Sequence, residues 1–357
     1  MNCVRNTLVI ALLFLVSGCN TIGPRTIPGA RLNYNVAIAR SADEQLLLNL
    51  VRLQYRDTPL FLEVTSVSTQ YVMSYGASAS GSLTDPLDRS AGASIGFVEK
   101  PTVQYAPLQG GKFVTQILSP ISLETLALLA RSGWSLERIL RLCIQDLGPL
   151  KNAPTASGPT PDLAPEYRAF QEAATVIRQL QMQGTLNLGV ASEGNWRKLV
   201  MRLTEDISNN PDLLKLVTLL GVSSPVSDLV FTEGFDDGTP GSFAIQTRSL
   251  MGILYYLSQN VRVPQRHRSK GLVTNTVTDT GEPFDWSEVL GDIFTVHSQW
   301  TEPANANVKV HYRGVWFYID DRDLATKTTF GMLGQLFYLQ AGEVRNMTPA
   351  LTLSLGN

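Results

Sequence analysis

The chain has 357 residues, 44% of them hydrophobic and 17% charged, and a formal net charge of −2. These are the proportions of a globular chain of about two domains. They exclude a strongly basic nucleic-acid binder and a low-hydrophobicity disordered chain.

The first predicted element is an export signal. Arg5 stands ahead of an apolar run, Leu8–Val16. That run suits a signal core and is too short for a spanning helix, which needs about 20 residues. It closes on Val16, Ser17, Gly18 and Cys19. Small residues at Ser17 and Gly18 open the backbone to a peptidase, and the Cys19 thiol is the atom to be acylated. The alternative is cleavage by the ordinary signal peptidase, with Cys19 incidental. Asn20 follows the cysteine. Under the enterobacterial sorting rule an Asp there retains a lipoprotein in the inner membrane, so Asn20 points to the outer membrane. The expected attached group is a diacylglycerol and an acyl chain on Cys19; no other cofactor is expected. Several chains anchor stably where one binds marginally.

Cleavage before Cys19 would leave 339 residues with 28 basic and 31 acidic side chains. Cys143 would then be the only unmodified thiol. It has no disulfide partner and lies among Ile139, Leu140, Leu142 and Ile144, which predicts a buried, inert side chain. No later stretch approaches 18 consecutive apolar residues, so no transmembrane helix is predicted.

Residues 19–34 hold Pro24 and Pro28 with Gly23 and Gly29, and read as a lipidated tether. Ser41 to Glu44 forms a capping box opening a helix, and Leu46, Leu47, Leu50, Val51 and Leu53 give it one apolar face before Pro59 stops it. From Val64 to Gly81 apolar residues alternate with Ser, Gly and Gln, a period of two that predicts a long strand. After a polar turn at Ser82–Ser90 the alternation resumes to Tyr105. The two arms form one long hairpin. Tyr71, Met73, Tyr75, Ile95 and Phe97 occupy its apolar positions and are the candidates for membrane insertion.

Three short helical pieces follow, Lys112–Leu118, Leu123–Arg131 and Leu136–Leu147. They are read as a helical bundle against the hairpin base. Residues 148–165 contain five prolines and read as an exposed linker, with a domain boundary there. Beyond it the patterns predict a helix over 165–183, strands at 185–190 and 197–204, and a helix capped by Asn209 or Asn210. Strands are expected at 228–232 and 243–247, with a helix at 248–260 and a short one at 285–293. The chain then gives strands at 294–299 and 307–319, a helix at 323–340 and a last strand near 350–355. The expected class is α+β: a long N-terminal β-hairpin with a helical bundle, then a mixed α/β C-terminal domain. The expected boundaries are 1–18, 19–34, 35–150, 151–165 and 166–357.

Groups with chemistry are sparse. His267 lies in a basic stretch, and His297 and His311 fall in neighbouring strands, without the paired spacing of a zinc site. No P-loop, nucleophile elbow or dinucleotide fingerprint is present, and no catalytic residue is assigned. Asp320, Asp321 and Asp323 precede a helix, where carboxylates suit the positive N-terminus; a divalent cation is the alternative. Arg262, Arg266, Arg268 and Lys270 form either a solvated loop or a contact for anionic lipid or a protein partner. Most of the aromatics near the C-terminus are expected in the core, with Val315–Ile319 buried on both faces.

Two stretches, Glu44–Val64 (EQLLLNLVRLQYRDTPLFLEV) and Val315–Gly342 (VWFYIDDRDLATKTTFGMLGQLFYLQAG), resemble a group of proteobacterial outer-membrane lipoproteins with no known activity. The resemblance spans most of the mature chain and implies no site residues. Three functional expectations follow. The first is a periplasm-facing structural or interaction component of an envelope assembly, with protein partners or self-association and no nucleic acid. The second is an oligomeric pore in which each subunit gives the 64–106 hairpin to a shared barrel. The third is an enzyme acting on envelope polymers.

Overall fold

The computed structural model describes residues 22–81, 89–108, 110–159, 161–193, 196–222, 226–233 and 238–342. Helices and strands are mixed, and the largest sheet has six strands of mixed direction. The chain divides into two compact units: Leu60–Gln109 is one, and Met1–Pro59 with Gly110–Asn357 is the other.

In the larger unit, helix α1 (Ile22–Gln54) buries Leu47, Leu50 and Val51. It packs on α7 (Leu250–Ser258) and on strand β10 (Ala306–Tyr312). Helices α2 (Gly111–Leu118), α3 (Leu123–Arg131) and α4 (Leu136–Cys143) follow. Ser122 caps α3 through the Thr125 N–H, as its sequence position favours. The chain then enters the six-stranded sheet, in the order β4-β3-β8-β7-β6-β5. Its members are β3 (Ile144–Leu147), β4 (Leu150–Lys151), β5 (Leu186–Glu193), β6 (Trp196–Leu203), β7 (Asp228–Glu233) and β8 (Ser242–Thr247). Only the β7–β8 pair is parallel.

Helix α5 (Arg168–Gln183) packs on α4, β5 and α6 (Pro211–Leu219). Asn210 caps α6, accepting from the backbone N–H groups of Asp212 (3.0 Å) and Leu213 (3.3 Å). The short helices α8 (Gln265–Ser269) and α9 (Ser287–Leu290) lead to a second sheet, ordered β10-β11-β9, with β9 at His297–Gln299 and β11 at Val315–Asp320. Helix α10 (Leu324–Gly342) ends the described chain. No described helix is long and apolar enough to cross a membrane.

The smaller unit is a two-stranded antiparallel ribbon, β1 (Leu62–Gly81) against β2 (Arg89–Pro107). From Ser66 onward odd positions pair with odd: Tyr71 with Glu99, Met73 with Phe97, Tyr75 with Ile95. Directly opposed residues of an antiparallel pair share a face, so the two apolar alternations fall on one side. A bulge between Val64 and Ser66 shifts the register by one, which sets Val64 opposite Tyr105. The turn at 82–88 lies outside the described residues.

Several expectations need correction. Residues 22–34, expected as a tether, are helical. Pro24 stands in the first turn, where its missing N–H costs nothing, while Pro28 forgoes a backbone bond further in. The capping box is therefore internal to α1, and Glu44 pairs instead with Arg40 one turn back, at 2.9 Å. The third helical piece ends at Cys143, and Ile144–Leu147 is a strand. The 151–165 segment is not a boundary in this fold. Strands from both sides of it build one sheet, and Asn152, Ala153 and Ala156 are buried. Val315–Ile319 alternates buried with half-buried positions instead of being buried throughout. The expected strand near 350–355, like residues 1–21, lies outside the described residues.

Candidate functional site

The candidate site grows from the C-terminal end of α1. The Arg56 N–H bonds the Leu53 carbonyl (3.0 Å), and the Asp57 N–H bonds the Arg52 carbonyl (2.8 Å). This closure places Arg56 at φ 58°, the left-handed conformation a helix exit demands and a non-glycine residue adopts at a cost. Asp57 is thereby presented to the β10–β11 turn. There Arg313 and Gly314 have φ of 49° and 79°, a two-residue loop of the kind that matches strand twist. Asp57 accepts from Tyr312 Oη (2.5 Å) and from Arg313 (2.9 Å). The Arg313 guanidinium also lies 5.0 Å from the Tyr55 ring centroid. Burial pushes the Asp57 carboxyl up, but the Tyr312 and Arg313 hydrogen bonds outweigh it and hold it below the usual range.

Tyr55 extends this clasp to the basic segment. Its Oη is 2.7 Å from Nδ1 of buried His267. Burial drives the Tyr55 phenol up to about 12, so it keeps its proton at neutral pH. Burial, then Lys270, Arg266 and Arg313, lower the His267 imidazole. Both effects suit a neutral histidine whose Nδ1 accepts from the phenol. Of the predicted contact residues, Arg262, Arg266 and Lys270 are exposed and Arg268 is half-buried. Trp300, one of the C-terminal aromatics mostly expected in the core, is 54% exposed and sets its ring edge-on to His267, with centroids 5.9 Å apart.

The other groups resolve into structural roles. Asp323 caps α10, accepting from the Thr326 N–H (2.9 Å) and Oγ1 (2.6 Å). Asp320 accepts from the Arg322 N–H, and Asp321 pairs with Lys327. His297 and His311 flank β11 on opposite sides, against Tyr318 and Trp316 respectively. Among the described residues no group of three His, Cys, Asp or Glu could hold a metal. Cys143 is buried, and burial pushes its thiol up to about 12. Cys19, with Val16, Ser17 and Gly18, lies outside the described residues.

Arg141 and Arg248 are two buried cations that sequence reasoning passed over. Arg141, only 2% exposed, grips Asp292 with two bonds of 2.5 and 2.7 Å and donates to the Val289 carbonyl. This pair borders an open cleft of about 370 Å³. The cleft's other charges also meet partners: Lys215 with Glu172, and Arg168 with Glu288. The arrangement neutralises charge pairwise. The Tyr71, Met73, Tyr75, Ile95 and Phe97 positions share the β1–β2 ribbon, in the register given above. The sequence thus predicted two regions, the ribbon and the basic turn, and missed the clasp that holds the turn. Comparison with protein-family models, with characterised proteins and with solved structures finds no match to this chain.

Proposed function

We propose that this protein is a lipid-anchored structural component of the cell envelope, held at the periplasmic side of the outer membrane through Cys19. In this proposal it belongs with the proteobacterial lipoproteins it resembles. Ribbon β1–β2 is the element through which it joins its partners, and no catalytic step or dissociable cofactor is involved. The observation that supports this reading is the ribbon itself. Its strands run to 20 and 19 residues and have no third strand beside them among the described residues. A lone two-stranded hairpin is marginal in water, and its outer edges offer rows of unpaired N–H and C=O groups. Strands from further copies, or from another envelope protein, satisfy those edges.

A second reading, the shared pore, is favoured by the register. Met73–Phe97, Tyr75–Ile95, Ala77–Ala93 and Ala79–Ala91 put apolar and small residues opposite one another along one face. The in-register stretch from Ser66 to Gly81 extends about 50 Å, against the roughly 9–11 tilted residues that span an outer membrane. Imaging of the protein extracted in mild detergent tests both. A ring whose ribbons close one barrel, with matching conductance across a planar bilayer, supports the pore. An oligomer with ribbons paired outside the bilayer supports the structural reading. A monomer whose ribbon has no neighbouring strand removes both.

A further inference from the structure

We propose that the turn bearing Arg262, Arg266, Arg268 and Lys270, with exposed Trp300 beside it, is a docking surface for a bilayer rich in anionic phospholipid headgroups. The inference is independent of how the ribbon assembles.

The first support is charge. Seven other arginines of the fold, Arg40, Arg56, Arg141, Arg168, Arg197, Arg202 and Arg313, each have a carboxylate within ion-pair distance. Among the described residues the four cations of this turn have none. One carboxylate, Asp285, feels Arg262 and Arg268, but it is held chiefly by its own hydrogen bonds to Ser287. A surplus of positive charge therefore faces solvent on a chain whose formal net charge is −2. An anionic surface is its complement.

The second support is the indole. Trp300 is 54% exposed where Trp286 is 8% exposed. An amphipathic ring left in water next to cations is the composition of a membrane-interface contact, with indole at headgroup level and basic groups on the phosphates. The third support is rigidity. His267, at the centre of α8, is buried and bonded to Tyr55, and it carries Trp300 against its ring. Arg266 and Lys270 are close enough to depress the same imidazole. The indole, and the backbone of α8 that carries the two cations, are thus held around one strut, which lowers the ordering cost of binding.

The test uses the full protein carrying Ser269→Cys, labelled with a polarity-sensitive fluorophore, beside the unsubstituted protein treated alike. Ser269 is exposed, and buried Cys143 does not compete for label. If Ser269→Cys perturbs the fold, exposed Gln265→Cys replaces it. The protein is reconstituted on vesicles of phosphatidylcholine alone, or with one third phosphatidylglycerol. The expected result is blue-shifted emission on the anionic vesicles only, lost in about 0.5 M salt, where screening shortens to a few ångströms. Each cation near such a surface strengthens attraction about five-fold. Arg266→Gln with Lys270→Gln therefore returns the emission to its phosphatidylcholine value, and Trp300→Ala reduces the shift, with far-UV circular dichroism unchanged in both. Equal emission on the two vesicle types overturns the proposal, as does insensitivity to the double substitution. A shift produced by poly-glutamate or by an oligonucleotide, but not by anionic vesicles, also overturns it and assigns the turn to an acidic protein or a nucleic acid. Flotation of the unlabelled protein with phosphatidylcholine vesicles reads the lipid anchor separately.

Discussion

Arg248→Met removes a buried cation that ties the proline-rich segment to the sheet. Arg248 is 1% exposed. It donates to the carbonyls of Ile144 (2.7 Å), Arg141 (3.2 Å) and Asn152, and to Ser157 Oγ (2.9 Å), with Tyr256 stacked 3.9 Å away. None of these partners is a carboxylate. Burial draws the guanidinium down to about 10, which still leaves it charged at neutral pH. Methionine keeps the stem and none of the donors. Asn152 Nδ2 continues to serve the Arg141 and Ile144 carbonyls, so the Asn152 carbonyl and the Ser157 hydroxyl carry most of the loss. Abandoning the acceptor of buried Asn152 and that of half-buried Ser157 costs about 1–3 kcal/mol each, offset in part because a desolvated charge is no longer buried. A net loss of about 3 kcal/mol follows, or about 4 °C in melting temperature for a chain of this size. Thermal unfolding by circular dichroism reads the shift, and limited proteolysis reads new cleavage between residues 152 and 164. A shift under about 2 °C with no new cleavage would refute the assignment of this cation as the segment's fastener.

Asp57→Ala should cost about 1 kcal/mol, because its partners are partly exposed and screened. Denaturant titration measures the loss, and a double-mutant cycle with Arg313→Ala reads the ion-pair share of it, the Tyr312 hydrogen bond accounting for what remains. The His267 imidazole is lowered in the fold. The unfolded chain therefore takes up a proton first, and stability falls as pH drops through about 6.5 toward the folded value. Stability curves at pH 7.5 and 5.5 should converge for His267→Gln, apart from the smaller contribution of His297, whose imidazole burial also lowers; an unchanged pH slope in His267→Gln rejects the assignment.

What was legible in the sequence followed local periodicity. The ribbon could be read because alternation persists over both arms in the same parity, and the observed pairing of odd with odd preserves it. Helix α6 could be bounded because Asn210 carries its cap chemistry within three residues of the groups it satisfies. The same logic failed at Ser41. A capping box is a local preference of about a kilocalorie per mole, and α1 runs through it because its backbone is helical on both sides.

The proline-rich segment shows why the remainder was illegible. Five prolines across 148–165 deny that stretch a helix or central strand, and by composition alone such a stretch belongs in solvent. Its backbone polar groups are instead met from afar. The Asn152 carbonyl is taken by Arg248, and the Ala153 N–H by the Glu166 carbonyl. Arg248 reaches Asn152 across 96 positions, Arg141 reaches Asp292 across 151, and Tyr312 reaches Asp57 across 255. No spacing rule connects such partners, because the fold decides their meeting. The basic turn was visible as composition, yet its distinguishing property is a missing carboxylate and an uncovered indole, and both are facts about neighbours. Such long-range polar pairs are therefore set by closure of the fold, and the four cations of the basic turn, clustered within nine positions beside an exposed indole and outside that pairing, are available to something outside the chain.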